Sequence, residues 1–453
     1  MDMKKEIKLS DLFGRKKKEA SAAEAAEAAV EPKKSRFARK QKEQKEQKEQ
    51  QAQKEPKQSR FARKPKEQKE QKQPKAAKAA KPKGSRRPRQ MQKASLGRRG
   101  KKLVGLKIGA SKLAAARVVN SGGGAELVQV AQADLEPGIV VGGELRDPDA
   151  LAEALKEFFK KNKLPRQGVR LGIASNRIGV RTFDLPGVED EKQLHNAVRF
   201  RAQEALPIPL DEAVVDYHVL SDTVNDEGVR IRRVLLVVAY RELVDRYVAA
   251  CRKAGIKLAG IDLEGFAALR ALSGGGDAQA NAALVVASVG HDRSTLAVSN
   301  GSICEFTRVI EWGGQNLNVA IARVLDMTPS EAEPIKHSVS LLEPAEAWEA
   351  LTGAQAVKVR EAIQNELQVF SRELISSLQF YQGQPGSLGI GEIVLSGGTA
   401  QLPGIDVELA RMIGVQVRVG DPLGRVRRGK KISGDQEFGS LAVAIGLGIE
   451  EAA

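Results

Sequence analysis

A glycine turn closing two short apolar strands occurs twice in this chain, and the repetition restricts the fold more than any other feature. The first copy, LVGLKIGASKLAAARV from Leu103 to Val118, alternates Val104, Leu106 and Ile108 with smaller or polar residues and turns at Gly109 into a second apolar stretch. That alternation marks a β-hairpin. The second copy, ALVVASVGHDRSTLAVS from Ala283 to Ser299, places Gly290 where the first has Gly109, 181 residues further on. Two lobes of related plan follow, with their turns facing each other across a cleft. Glycine lets backbone N–H groups approach an anion with no Cβ in the way, so such turns suit phosphate. One turn alone says little, because any hairpin can carry a glycine. The pair, joined by the later VLSGGTAQLPG from Val394, says much more.

Charge divides the chain into unlike parts. Residues 1–102 hold 35 Lys and Arg against 13 Asp and Glu, a net of +22, and the remainder carries −6, so the basic character belongs to the tail alone. Within the tail, EPKKSRFARKQKEQKEQKEQ from Glu31 is echoed 24 residues later by EPKQSRFARKPKEQKEQKQP from Glu55, with Lys-Glu-Gln triplets and no large apolar residue between the SRFARK units. Low hydrophobicity with high charge predicts disorder there. At its start, Ile7, Leu9, Leu12 and Phe13 make one apolar face of a short helix capped by Ser10. Three uses stay open for the tail: a nucleic-acid arm with Phe37 and Phe61 as stacking residues, attachment to an anionic membrane surface, and a solvated spacer.

Residues 103–453 are long enough for two lobes with cores of their own. Two cysteines, Cys251 and Cys304, give no disulfide framework and suit a reducing compartment. No apolar run reaches the roughly 18 residues that span a bilayer, and the charged N-terminus has no signal-peptide pattern, so a cytoplasmic location is expected. The four histidines show no ligand spacing, and a plain loop is the first expectation for His291 and Asp292.

Along the chain, Leu151, Leu155, Phe158 and Phe159 recur at helical spacing before a strand VRLGIAS. RIGVRTFDLPGV then reads as a strand, and EDEKQLHNAVRFRAQEALPIPL as a helix stopped by Pro207 and Pro209. AVVDYHVL and RIRRVLLVVAY are two strands about a polar turn SDTVNDEG, and RELVDRYVAACRKAG is a helix ended by Gly255. This block is expected to be a small α+β module inserted in the first lobe. In EAIQNELQVFSRELISSLQFY, Ile363, Leu367, Phe370, Leu374 and Leu378 form one face, expected to pack on its own lobe.

The stretches LPGVEDEKQLHNAVRFRAQEALPIPLDEAVVDYHVL, RELVDRYVAACRKAGIKLAGIDLEGFAALRAL, FTRVIEWGGQNLNVAIAR and IVLSGGTAQLPGIDVELARMIGVQVRVGDPL together resemble the PilM family of type IV pilus assembly proteins, relatives of the cell-division protein FtsA. The likeness covers nearly all of 103–453 and none of the tail. It implies an α/β, actin-like (ribonuclease H-like) two-lobed fold with an inserted α+β subdomain behind a disordered basic tail. The expected organisation is a tail at 1–102, the first lobe at 103–182 and 259–282, the insertion at 183–258, the second lobe at 283–424, and a return to the first lobe at 425–453.

The resemblance also implies a nucleotide, ATP, between the lobes. Its contacts would come from Lys107, Gly109, Ala110, Ser111 and Lys112 of the first turn, and from Gly290 and His291 of the second. Gly313, Gly314, Glu333 and Lys336 would contribute from the second lobe, and Gly397, Gly398 and Thr399 near the adenosine. Relatives carry acids where this chain has Lys107 and Ser288. Carboxylates there hold the water shell of magnesium or the attacking water, so magnesium and brisk hydrolysis are not expected. The implied role is structural: recruiting the cytoplasmic N-terminus of a PilN-like inner-membrane protein and linking it to the assembly motor complex, peripheral to the inner face of the membrane. The alternative is a working FtsA-like ATPase that cycles or forms filaments.

Overall fold

The computed structural model describes residues 101–450 apart from 206–208, 274–281, 302, 431 and 434–436. The expectations for the basic tail, Phe37 and Phe61 included, lie outside the described residues.

The chain opens with an antiparallel meander of β1 (Lys101–Ile108), β2 (Lys112–Ser121) and β3 (Gly124–Asp134). A small hairpin of β4 (Val140–Val141) and β5 (Glu144–Leu145) leads into helix α1 (Pro148–Lys161). Asp147 caps that helix by accepting from the N–H groups of Asp149 and Ala150, and Pro148 fits the first turn because no N–H is needed there. Strand β6 (Gln167–Ile173) returns parallel to β1.

The chain then leaves this sheet for β7 (Ile178–Pro186), α2 (Glu191–Ala205), β8 (Ala213–Val224) and β9 (Arg230–Tyr240), which form a separate three-stranded sheet of order β7-β9-β8. Its own small core includes Leu194 and Val198 of α2 against Val234, Leu236 and Val238 of β9. Helix α3 (Arg241–Lys253), β10 (Lys257–Leu263) and α4 (Glu264–Leu272) complete the first half.

The second half repeats the plan. Strands β11 (Ala282–Val289), β12 (Ser294–Ser299) and β13 (Cys304–Ile310) form a meander, followed by α5 (Gly314–Leu325), α6 (Pro329–Ser338) and the 30-residue α7 (Gly353–Gln382). Strand β14 (Gly389–Ser396) then pairs parallel to β11, and α8 (Ile405–Ile413) leads to β15 (Gln416–Val419). Finally β16 (Val426–Arg428) joins the first sheet beside β3, and α9 (Ala442–Gly448) ends the described chain. The sheet orders are β10-β6-β1-β2-β3-β16 and β13-β12-β11-β14-β15.

Burial explains the arrangement. One core gathers Leu106, Leu171, Leu151, Leu155 and Phe159 around the first sheet, and another gathers Val285, Leu296, Ile363, Leu367 and Phe370 around the second. The apolar face of α7 thus packs on its own lobe. Every residue of α9 is buried, and it lies with α4 between the two sheets: Val443 and Leu447 meet Val286 and Val394 on one side, while Ala444 and Ile445 meet Ala116 and Val118 on the other. A helix apolar on all sides is what a position between two sheets requires.

Two features differ from the sequence reading. Strand β8 runs on through Thr223 and Val224, so the turn is confined to Asn225–Gly228, where Asn225 Oδ1 accepts from the Glu227 and Val229 N–H groups. Paired strands satisfy backbone groups even where side chains are polar, and hydropathy does not register that. Secondly, the three-stranded sheet begins at Ile178, whereas α3 buries Leu243, Tyr247 and Cys251 in the core of the six-stranded sheet. A helix contiguous in sequence with the insertion therefore belongs by packing to the first lobe.

Candidate functional site

The two glycine turns are closed by the same bond. The Gly109 N–H donates to Lys112 O at 2.9 Å, and the Gly290 N–H to Arg293 O at 2.9 Å. Strand register explains why both turns open on one space: β1 and β11 are inner strands of their sheets, and α4 and α9 hold those sheets together.

Between the turns lies a cavity of about 420 Å³. It brings together Lys107, Gly109, Ala110, Ser111 and Lys112 from the first turn with Gly290 and His291 from the second. Gly314, Glu333, Lys336, Gly398 and Thr399 line it too. Gly313 and Gly397 do not, and their geometry gives the reason. The Gly313 N–H is held by Asn316 Oδ1 at 3.0 Å. Gly397 has φ +96 and packs so tightly that an added Cβ would stand 2.2 Å from Val289 O, so it shapes the wall from behind. The first turn of α5 is also engaged within the protein, with the Gly314 N–H donating to Gly290 O at 2.9 Å and the Gln315 N–H to His291 O at 2.7 Å. Thr399 Oγ1 donates to the same Gly290 carbonyl at 2.8 Å. Gly314 meets the cavity by close approach: a Cβ there would lie 2.5 Å from Thr399 Oγ1.

The charged groups are paired in a way the sequence did not reveal. Lys107 Nζ lies 3.7 Å from Glu264 Oε2, with the lysine side chain 15% and the glutamate 4% exposed. Lys107 is therefore neither a solvated strand residue nor a free cation. Glu264 opens α4, and its other oxygen is buried with no hydrogen-bond partner. Ser288 Oγ is buried without a partner as well, and Arg293 Nη1 makes no hydrogen bond but lies 3.5 Å from Asp292 Oδ1. Burial pushes the Lys336 ammonium below its ordinary range, partly offset by Glu333. The same cause lowers His291, also partly offset by Glu333. Sequence reading missed Glu264 and Arg293. An acid placed directly between an apolar strand and a helix, in IDLEGF, was the available signal for the first.

Asp292 is more than a loop residue, since its Oδ2 accepts from the Gly142 N–H at 2.8 Å in the turn between β4 and β5. Nearby, Asn176 Nδ2 donates to Glu311 Oε1 at 2.8 Å, and the lobes meet there too.

Magnesium does not fit this site. It takes near-octahedral oxygen ligands, carboxylates and water. The turn positions Lys107 and Ser288 offer an ammonium and a hydroxyl, and the Glu264 carboxylate in the lining is already paired with Lys107 at 3.7 Å. A phosphate ester fits better, because glycine turns, buried cations and the unpartnered Ser288 hydroxyl surround the same space.

A second cavity of about 320 Å³ lies between the end of β6, the start of β7 and β13. Ile173, Ile178, Val180, Phe306, Val309 and Phe380 give it an apolar lining, and Asn176, Arg181 and Arg308 add polar groups. Both β7 and β13 are edge strands of their sheets. The three-stranded sheet is tied to the second lobe here: Arg233 pairs with Glu305 at 3.5 Å, and buried Glu305 accepts from Tyr381 Oη at 2.7 Å. Glu264 and Thr295 line this groove and the cleft alike. No helix among the described residues is long and apolar enough to cross a membrane.

The family model for type IV pilus assembly protein PilM matches residues 105–452. Among curated proteins, the chain is 24% identical over 348 residues to the cell division protein FtsA of Streptococcus pneumoniae serotype 2, covering 70% of this chain and 74% of that protein. It is 26% identical over 259 residues to FtsA of Escherichia coli K12, covering 51% of this chain and 60% of that protein. Among solved structures, it resembles one described as a PilM-PilN type IV pilus biogenesis complex, with a TM-score of 0.63, 26% identity, and coverage of 76% of this chain and 97% of that one. The paired lobes, each led by a glycine-turn hairpin, are the α/β actin-like fold.

Proposed function

Because the chain belongs to the PilM family of type IV pilus assembly proteins, we propose that it serves as a structural component on the cytoplasmic side of the pilus machine, peripheral to the inner membrane. In this role it recruits the cytoplasmic N-terminus of a PilN-like membrane protein and links it to the assembly motor complex. The observation that carries the reading is the groove between β6, β7 and β13, together with the likeness to a chain solved in a PilM-PilN complex. An extended segment loses chain entropy on binding, so a few apolar anchors must supply its affinity. Val309 and the 56% exposed Phe380 are suitable contacts for them.

The cleft holds a nucleotide of the ATP class and hydrolyses it slowly or not at all, since Lys107 and Ser288 can neither hold a metal's water shell nor position an attacking water. The proposed contacts are the cavity-lining residues named above, with Gly313 and Gly397 acting through backbone shape. An FtsA-like cycling ATPase would need the acids that these positions lack.

Titration of the full chain with a peptide copying the N-terminus of the PilN-like protein tests the recruitment role. Phe380→Ala and Val309→Asp are expected to weaken binding at least tenfold with the melting temperature held. Unchanged affinity in both would sink the assignment of the groove.

A further inference from the structure

We propose that the cleft binds its phosphate ester without a divalent cation, the ammonium of Lys107 acting in the role a metal would play. The inference rests on the nucleotide reading above and goes beyond it in naming what neutralises the phosphate.

In a metal-dependent site, carboxylates at the two turns gather a hydrated cation, and the cation faces the phosphate. Here the order is inverted. The cation is part of β1, and the carboxylate that steadies it at 3.7 Å, Glu264, comes from α4 and lines the cleft as well. Lys107 has three N–H donors, Glu264 beside it, and a place in the lining of the cavity. A divalent ion brought to Glu264 would have to displace that ammonium or sit beside it, and like charges in a largely buried site repel strongly. Besides the unpartnered Glu264 Oε1, the cleft has buried groups that can donate to an anion. Ser288, 3% exposed, carries a hydroxyl with no partner, and Arg293, 6% exposed, has its Nη1 beside Asp292 Oδ1 at 3.5 Å with no hydrogen bond made. Both line the cleft. An unpartnered hydroxyl at such burial is costly unless a ligand or water completes it.

The formal charges of the lining set a limit on the ligand. Lys107, Lys112, Arg293 and Lys336 stand against Glu264, Asp292, Glu333 and Glu437, a balance of zero before any ligand enters. With no metal and no excess of positive charge, each further phosphate adds uncompensated charge. A nucleoside diphosphate is therefore favoured over a triphosphate, the reverse of what magnesium-bridged sites prefer.

The test is calorimetric titration of the full chain with ADP and with ATP, each in EDTA and in millimolar magnesium. ADP affinity is expected to agree within twofold between the two conditions and to exceed that of ATP in EDTA. The double variant Lys107→Met with Glu264→Gln removes the pair without stranding a buried charge, so it should keep its fold by circular dichroism while losing at least tenfold in ADP affinity in EDTA. Lys107→Asp should acquire a magnesium requirement. Binding of the wild-type chain only with magnesium would overturn the inference and leave the nucleotide reading intact. Absence of binding to either nucleotide under every condition would overturn both.

Discussion

The two glycine turns share a sequence pattern and a closing hydrogen bond, yet their surroundings differ. At the first, a Cβ added to Gly109 would meet only the Lys112 backbone, at 3.1 Å, and Lys112 itself reaches outward to Asp134 with a side chain 61% exposed. At the second, the Gly290 carbonyl accepts from both Gly314 and Thr399, His291 O holds Gln315, Asp292 reaches the opposite lobe, and Arg293 is buried. One turn is a lip and the other a junction. Repeated backbone geometry can thus carry divided labour: the first turn stands open at its tip, while the second anchors the elements around it.

The comparison is most severely tested at Lys107, where the lip does carry an internal partner. Lys107→Met should destabilise the protein by about 3 kcal/mol because it leaves Glu264 buried and unpaired. Adding Glu264→Gln should restore most of the loss. A single variant as stable as the parent in denaturant titration would mean that the pair is too well hydrated to matter. A smaller effect separates the turns themselves. Gly314→Val drives a side chain into Thr399 at the junction and should cost about 2 kcal/mol, whereas Gly109→Ala at the lip should cost under about 1 kcal/mol. Equal losses in thermal melts would erase the distinction.

The smallest effect is in pH. Burial holds the His291 pKa below that of the unfolded chain, so the unfolded state takes up the proton first and stability falls as pH drops through about 6.5. Anion binding in the cleft should move the opposite way over that range, since a protonated imidazole attracts phosphate. Melting curves of wild type and His291→Asn from pH 7.5 to 5.5 check the sign: the difference should shrink the pH slope, not enlarge it.

Much of this was legible in the sequence because it is written in periodicity. Alternating Val104, Leu106 and Ile108 fixed a strand, the helical spacing of Ile363, Leu367 and Phe370 fixed α7, and Gly255, with φ +74, ended a helix as a C-cap glycine does. The cleft was legible as a convergence of positions, since the residues named from the two turns line one cavity. Its electrostatics were not. Glu264 is 157 residues from Lys107, and only the packing of α4 between two sheets makes them neighbours. The engagement of the α5 N-terminus was hidden for a similar reason, because a glycine pair reads the same whether its N–H groups face a ligand or a neighbouring carbonyl.

Glu264 and Thr295 are party walls. Each forms part of the polar cleft on one side and of the apolar groove on the other, within a body whose three-stranded sheet is anchored in both lobes. A wall shared by two rooms cannot shift for one tenant alone. A phosphate that drew the Lys107 ammonium away from Glu264 would alter the floor offered to a segment in the groove, and thermodynamic linkage would make the effect mutual: by whatever factor the first occupant changes the second's affinity, the second changes the first's.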